Sequence, residues 1–271
     1  MTEASIAIER KGSVEANGLS IGYSTRGSGP PLVLIHGAEA GREMFDAFAT
    51  ELAGHFSVIA YDQRDTGSTR DLAIPPRDYG LAEAGDDVAA LIEALGHDQA
   101  HVFGTSLGGN IAQVFAARHP ERLDRLVLSS TFLAGHSLRS FNPGVAEQMA
   151  AWRTDPGRYA PEIATKFFPP GYLRAHPELI DMFRGGRRTP EQIVRRARLM
   201  GVPYPIAKGE ISARTLLLMT EQDALIPRAA SLAVADILRD PVIQVIPGVG
   251  HIAAIQAPAE LARRVVAFLE S

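Results

Sequence analysis

Six short, continuous apolar runs recur along the chain, at Leu32–His36, Ser57–Tyr61, Ala100–Gly104, Leu126–Ser130, Thr215–Met219 and Val242–Ile246. Strands covered on both faces of a sheet read this way, because neither face has to be polar. Between several of them lie segments with apolar residues three and four apart, Glu83–Leu95, Gly109–Arg118, Arg228–Leu238 and Pro258–Leu269. That spacing predicts amphipathic helices. Strand alternating with helix predicts a doubly wound α/β domain with a mostly parallel sheet. Near the start, Ser13–Ala16 and Leu19–Tyr23 flank Asn17-Gly18 and predict an antiparallel hairpin on the sheet edge.

The strand rhythm stops between Phe132 and Ser212 and resumes at Thr215. The interval is rich in arginine, aromatic residues and proline, among them Pro143, Pro156, Pro161, Pro169, Pro170, Pro177, Pro190, Pro203 and Pro205. A helical cap over 132–212, inserted into a core formed by 1–131 and 213–271, accounts for the interruption.

A chain of 271 residues suffices for one large domain with such an insertion. Its hydrophobic share of 46% and charged share of 21% are those of a folded protein rather than a disordered one. The net charge of −4 gives no general attraction to nucleic acid or to anionic membranes, so the expected partner is a small-molecule substrate. The absence of cysteine excludes disulfides, thiolate metal sites and a thiol nucleophile. The stretch Met1–Lys11 lacks the basic start and apolar block of a secretion signal, and no apolar run is long enough to span a bilayer. The expected location is the cytoplasm; oligomeric state is not legible.

Candidate chemistry concentrates at Gly104-Thr105-Ser106-Leu107-Gly108, a G-x-S-x-G pattern between a predicted strand and a predicted helix. A sharp strand-to-helix turn forces the serine into a strained conformation and requires small residues two before and two after it, a demand that Gly104 and Gly108 meet. The turn lifts the Ser106 hydroxyl above the carboxyl ends of the strands, beside a helix amino terminus where anions are favoured. The backbone N–H of Leu107 is then one donor to an oxyanion.

Serine needs a base, ordinarily a histidine whose second nitrogen is held by a carboxylate, and with this turn the chain order is serine, acid, histidine. Of eight histidines, His251 follows the last predicted strand on the loop Pro247-Gly248-Val249-Gly250. His36 ends a strand before Gly37 and reads as a structural hydrogen-bonding residue near the site. For the acid, Asp223 lies on the loop after the penultimate strand, with Glu221 its nearest rival.

These residues, with Leu34-Ile35-His36-Gly37, Tyr61–Ser68, Arg118–Arg122, Asp223–Pro227 and Gly248–His251, resemble the α/β-hydrolase superfamily over nearly the whole chain outside the cap. The resemblance implies an eight-stranded, mostly parallel α/β-hydrolase sheet, a catalytic set Ser106, Asp223 and His251, and no metal or organic cofactor. It also implies a second oxyanion donor at the N–H of Ala38, and a bracing role for Asp62 and Arg64. The variant Arg64-Asp65-Thr66-Gly67 departs from the commoner Arg-Gly-x-Gly and is similar to a subset of small-molecule methylesterases. Dehalogenases and epoxide hydrolases of the superfamily carry aspartate where Ser106 stands, which disfavours both.

The expected reaction is hydrolysis of a small, largely apolar ester or lactone through an acyl-enzyme on Ser106. Alternatives are a hydrolase of carbon–carbon bonds in ring-cleavage products, a cofactor-free haloperoxidase or perhydrolase, and a ligand-binding protein with a relic triad. Phe132, Phe141, Trp152, Phe168 and Tyr204 are candidate pocket walls, as are Leu133, Met149, Phe167, Tyr172, Met182, Phe183 and Met200. The basic run Arg184, Arg187, Arg188, Arg195, Arg196 and Arg198 reads as a solvated helical face rather than a steering patch for acidic substrates.

Overall fold

A computed structural model describes residues 8–38, 40–186, 188–202 and 204–271. Two antiparallel strands, β1 (Arg10–Ala16) and β2 (Leu19–Arg26), open the chain and turn at Asn17-Gly18, both with positive φ. There follow β3 (Pro31–Ile35), α1 (Asp46–Leu52), β4 (Ser57–Tyr61), β5 (Arg70–Asp71), α2 (Leu81–Ala94), β6 (Ala100–Thr105), α3 (Leu107–Arg118) and β7 (Leu123–Ser129). Among the described residues, five short α-helices and a 3-10 helix over Pro177–Phe183 lie between β7 and the next strand: α4 (Leu138–Phe141), α5 (Pro143–Trp152), α6 (Pro156–Ala164), α7 (Pro170–Ala175) and α8 (Pro190–Ala197). The chain closes with β8 (Arg214–Thr220), α9 (Arg228–Leu232), β9 (Val242–Ile246), α10 (Ala253–Gln256) and α11 (Pro258–Leu269).

The strands form one sheet in the order β1-β2-β4-β3-β6-β7-β8-β9. From β4 to β9 every pairing is parallel, whereas β1 and β2 pair antiparallel at one edge. All six apolar runs are therefore the parallel strands. A ninth strand, β5, has only two residues, pairs with Leu19 and Ser20 of β2, and is too short to leave a periodic signal in the sequence. The predicted helix Arg228–Leu238 is helical to Leu232 and tightens to a 3-10 turn over Ala233–Ile237.

Successive strand residues point to opposite faces, which builds two cores from one sheet. Leu32 and Leu34 of β3 pack with Phe45, Phe48 and Phe103 under α1 and α11, while Val33 and Ile35 pack with Val88, Ile111 and Phe115 under α2 and α3. Both faces are covered, which explains why the strands read as unbroken apolar runs.

The chain runs outward from β3 to β4, then crosses back to β6 on the other side of β3. The loops leaving β3 and β6 diverge there, and the crevice between them is where open α/β sheets bind ligands. The register pairs Ile35 with Gly104, so His36-Gly37-Ala38 and Thr105-Ser106 emerge side by side.

Candidate active site

Ser106 joins β6 to α3 with φ 54° and ψ −123°, a left-handed backbone that a residue with a Cβ rarely adopts. The surroundings hold it there. Its N–H donates to the Ser129 carbonyl at 3.1 Å, and its own carbonyl accepts from Gly109 N–H at 2.9 Å and from the Thr131 hydroxyl at 2.7 Å. A Cβ on Gly104 would overlap the Gly108 carbonyl oxygen, and a Cβ on Gly108 would overlap the carbonyl oxygen of Ile35. Glycine at both positions is thus what allows α3 to fold back against β3 and β6.

Asp223 and His251, 28 residues apart in sequence, leave β8 and β9 on neighbouring loops and meet. The ring Nδ1 lies 2.8 Å from Asp223 Oδ2, with both side chains 3–5% exposed. Asp223 Oδ1 accepts from the N–H groups of Leu225 and Ile226, each at 2.9 Å. A carboxylate only accepts, so Nδ1 donates and Nε2 is left as the ring's acceptor. The His251 N–H donates to the Phe167 carbonyl at 2.8 Å, and the Phe167 ring stands edge-on to the imidazole at 5.5 Å. Glu221, the rival acid, points to the Gly248 N–H instead, at 2.7 Å.

Ser106, Leu107, Gly37, Ala38 and His251 line one cavity of about 90 Å³. The Ser106 hydroxyl makes no hydrogen bond to the ring among the described residues. A Cβ placed on Gly37 would lie 3.8 Å from Ser106 Oγ, so the β3 loop passes directly beside the hydroxyl. His36 fixes that loop. Its Nδ1 donates to the Gly37 carbonyl at 2.8 Å, Gln63 Nε2 donates to the His36 carbonyl at 2.6 Å, and the Gln63 N–H approaches His36 Nε2 at 3.4 Å. Burial, reinforced by the Arg196 guanidinium, pulls the His36 imidazole down to about 3, which keeps it neutral. Because the peptide joining Gly37 to Ala38 is planar and trans, pinning its carbonyl to the ring sends the Ala38 N–H in the opposite direction.

Of the candidate pocket walls, Phe132 and Phe141 line the cavity beside Ser106, with ring centroids 4.8 Å apart. Trp152, Phe168 and Tyr204 do not. Trp152 packs on the core with Lys166 over its ring, and Phe168 is buried against Tyr172 and Phe183. Tyr204 borders a separate hollow with Leu133 and Ile237. Phe167 and Met200 line the Ser106 cavity, whereas Met182 and Phe183 border an adjoining one of about 350 Å³. Sequence reading missed Leu225 and Ile226 as lining residues, although their position directly after Asp223 was a usable signal.

The arginine run is not a solvated face. Arg195 grips the Asp65 carboxylate with two hydrogen bonds of 2.6 and 2.9 Å, Arg188 donates to the carbonyls of Asp65 and Ala40, and Arg196 is buried. Helix α8 turns Arg195 and Arg196 toward the loop after β4, a direction that composition does not encode. Arg184 and Arg198 remain half-exposed, paired with Asp181 and Asp78, and Arg187 lies outside the described residues. As expected of bracing residues, Asp62 pairs with Arg42 and accepts from the Ser68 N–H at 2.9 Å, and Arg64 forks onto Asp87 at 2.6 and 2.8 Å.

Comparison with known proteins agrees with this architecture. The family model described as alpha/beta hydrolase fold matches residues 30–258. The chain is 30% identical to the protein named carbamate hydrolase RutD of Variovorax paradoxus, over 80% of this chain and 82% of that one. It is 31% identical to the poly(3-hydroxyalkanoate) depolymerase of Ectopseudomonas oleovorans, over 79% and 77%. Among solved structures, the thermophilic esterase of Thermogutta terrifontis superposes with a TM-score of 0.77 at 26% identity, covering 96% of this chain and 98% of that one. With the parallel sheet, the serine turn at its switch point and a family match over most of its length, the chain belongs to the α/β-hydrolase family and is a hydrolase.

Proposed function

We propose that the protein is a serine hydrolase that cleaves a small, largely apolar ester or lactone through an acyl-enzyme on Ser106. The observation that carries this reading is the buried Asp223–His251 pair, opening into the same cavity as a serine held at positive φ. Phe132, Leu138, Phe141 and Phe167 give that cavity apolar walls, and all four belong to residues 132–212, which act as a cap. The names of the relatives, an esterase, a carbamate hydrolase and a polyhydroxyalkanoate depolymerase, support chemistry at an acyl carbonyl.

In the reaction, Ser106 Oγ attacks the carbonyl carbon while its proton passes to His251 Nε2. The N–H groups of Ala38 and Leu107 receive the negative charge that develops on the carbonyl oxygen. The imidazolium then gives its proton to the leaving alkoxide as the acyl–oxygen bond breaks. Water, deprotonated by His251, attacks the acyl carbon; the bond from that carbon to Ser106 Oγ then breaks, His251 returns the proton to Oγ, and the carboxylic acid leaves. Asp223 keeps Nδ1 protonated throughout, so that Nε2 faces the hydroxyl as an acceptor. Hydrogen bonds between nucleophile and base are often long in free enzymes and tighten when substrate binds.

The test pairs Ser106→Ala with a fluorophosphonate probe. The native protein is expected to hydrolyse p-nitrophenyl butyrate and to gain the probe's mass on the peptide containing Ser106, and the variant to do neither while unfolding at the same temperature. Undiminished turnover by the variant overturns the assignment.

A further inference from the structure

Among the described residues, no carboxylate is bound to the Arg196 cation. It projects from α8 into the core with 5% of its surface exposed, and its Nη1 and Nη2 donate to neutral oxygens, the Arg64 carbonyl at 2.8 Å and Gln63 Oε1 at 3.1 Å. Among the described residues, no Asp or Glu forms an ion pair with it. The acidic neighbour, Asp65, is occupied by the two hydrogen bonds from Arg195 and by the Tyr79 hydroxyl at 3.0 Å. Arg188 adds a second positive charge beside it. Removing a charge from water costs several kcal/mol unless an opposite charge answers it. Burial first, and then Arg188, pull the Arg196 guanidinium down to about 10.

Arg196 also borders the cavity of about 350 Å³, whose walls include Arg153 and Arg188 together with Ile163, Met182, Phe183 and Ile193. Ala38 and Leu107 border both this cavity and the smaller one holding Ser106. His251 borders only the smaller one. The leaving alcohol, which takes its proton from His251, therefore faces the small cavity, and the acyl chain extends past the two N–H donors into the large one. The passage thus has apolar residues and arginines in its walls, and of those arginines Arg196 is the buried one.

We infer that Arg196 anchors a carboxylate at the far end of the acyl chain, so that the preferred substrates are half-esters of short dicarboxylic acids. This rests on the serine-hydrolase reading above. Arg196 supplies the charge, and the apolar walls accept the intervening methylenes. A neutral acyl chain of equal shape leaves the cation unanswered and binds less well. Cleavage of such a half-ester with water yields the alcohol and the dicarboxylate, with no other reactant.

The experiment measures kcat/KM for methyl half-esters of succinate, glutarate and adipate against neutral isosteres in which an isopropyl group replaces the carboxylate, such as methyl 5-methylhexanoate for the glutarate. Hydrogen bonds to charged groups predict that the best-fitting half-ester exceeds its isostere by about 10- to 100-fold. Arg196→Met should collapse that ratio to about one, and Arg196→Lys should keep a preference for the anion. Equal or lower kcat/KM for all three half-esters in the native protein overturns the inference whatever the variants do, as does a ratio that survives in Arg196→Met. If no ester is turned over, the hydrolase reading has failed. Calorimetric binding of the glutarate half-ester then decides the anchor separately: binding weakened by Arg196→Met supports it, and binding unchanged in that variant, or no binding to the native protein, rejects it.

Discussion

At the scale of single residues, the site depends on atoms fixed by more than one partner. Asp223 spends one oxygen on two backbone N–H groups and the other on His251, so its carboxylate cannot turn away from the ring. Asp223→Asn keeps the shape but offers an amide N–H or a poorer acceptor to Nδ1, which permits the wrong tautomer. We expect kcat for ester hydrolysis to fall by about 10³- to 10⁴-fold with little change in the unfolding temperature. The glycines around Ser106 make an opposite prediction about stability. Gly108→Ala drives a methyl group into the Ile35 carbonyl, backbone against backbone, and should cost about 1–3 kcal/mol or more in urea unfolding. Gly54→Ala, where no atom lies within 4 Å of the added methyl, should be neutral or stabilise by roughly 0.4–1 kcal/mol. Equal losses at the two positions would show that close packing at the serine turn is not what requires glycine.

At the scale of elements, α8 stands out because three of its residues or neighbours face inward as cations. Arg195 docks on Asp65, which itself sits at a positive φ of 58° in the loop after β4. The pair is only 16% and 11% exposed, so it is screened less than a surface ion pair. Asp65→Ala removes the one carboxylate that Arg195 binds among the described residues and leaves several cations facing one another. Truncating one partner of such a contact costs roughly 2–5 kcal/mol, part of it the penalty of the stranded charge. We expect faster trypsin cleavage around α8, with a higher KM and unchanged protection of α2 and α3. Protection of α8 equal to the native protein's would refute this docking role. The loop that receives α8 also holds Gln63, which supports the His36 carbonyl, so docking of this helix and the shape of the Ala38 loop share residues.

At the scale of the whole molecule, the topology places the site where the strand order reverses, and burial there sets how the protein responds to acid. His36 takes a proton near 6.5 when unfolded but only at about 3 when folded. Between those values the unfolded chain binds the extra proton, so the contribution of this group is intact above pH 6.5 and declines as pH falls. The decline is about 1.4 kcal/mol per pH unit. His36→Asn keeps a donor for the Gly37 carbonyl without the titration. The difference in unfolding free energy between native protein and variant should therefore narrow by about 2 kcal/mol from pH 7 to pH 5. A difference that stays constant over that range would place His36 in a setting that does not resist protonation.

The sequence alone determined the parts that depend on local pattern. Strands covered on both faces must be apolar throughout, and a strand-to-helix turn at a serine must be flanked by small residues, so both were legible at Leu32–His36 and Gly104–Gly108. Asp223 and His251 were legible through the loops that follow β8 and β9. Tertiary structure decided what depends on direction. Phe132 and Phe168 are equally aromatic and both buried, yet only the first borders the cavity of Ser106. Arg184 and Arg196 belong to one basic run, yet the first meets solvent and the second the core. Composition and spacing record which side chains a segment carries, whereas the packing of helices against the sheet fixes where each one points. The difference between a filled core and a pocket wall is an atom's worth of empty space, which no periodicity encodes.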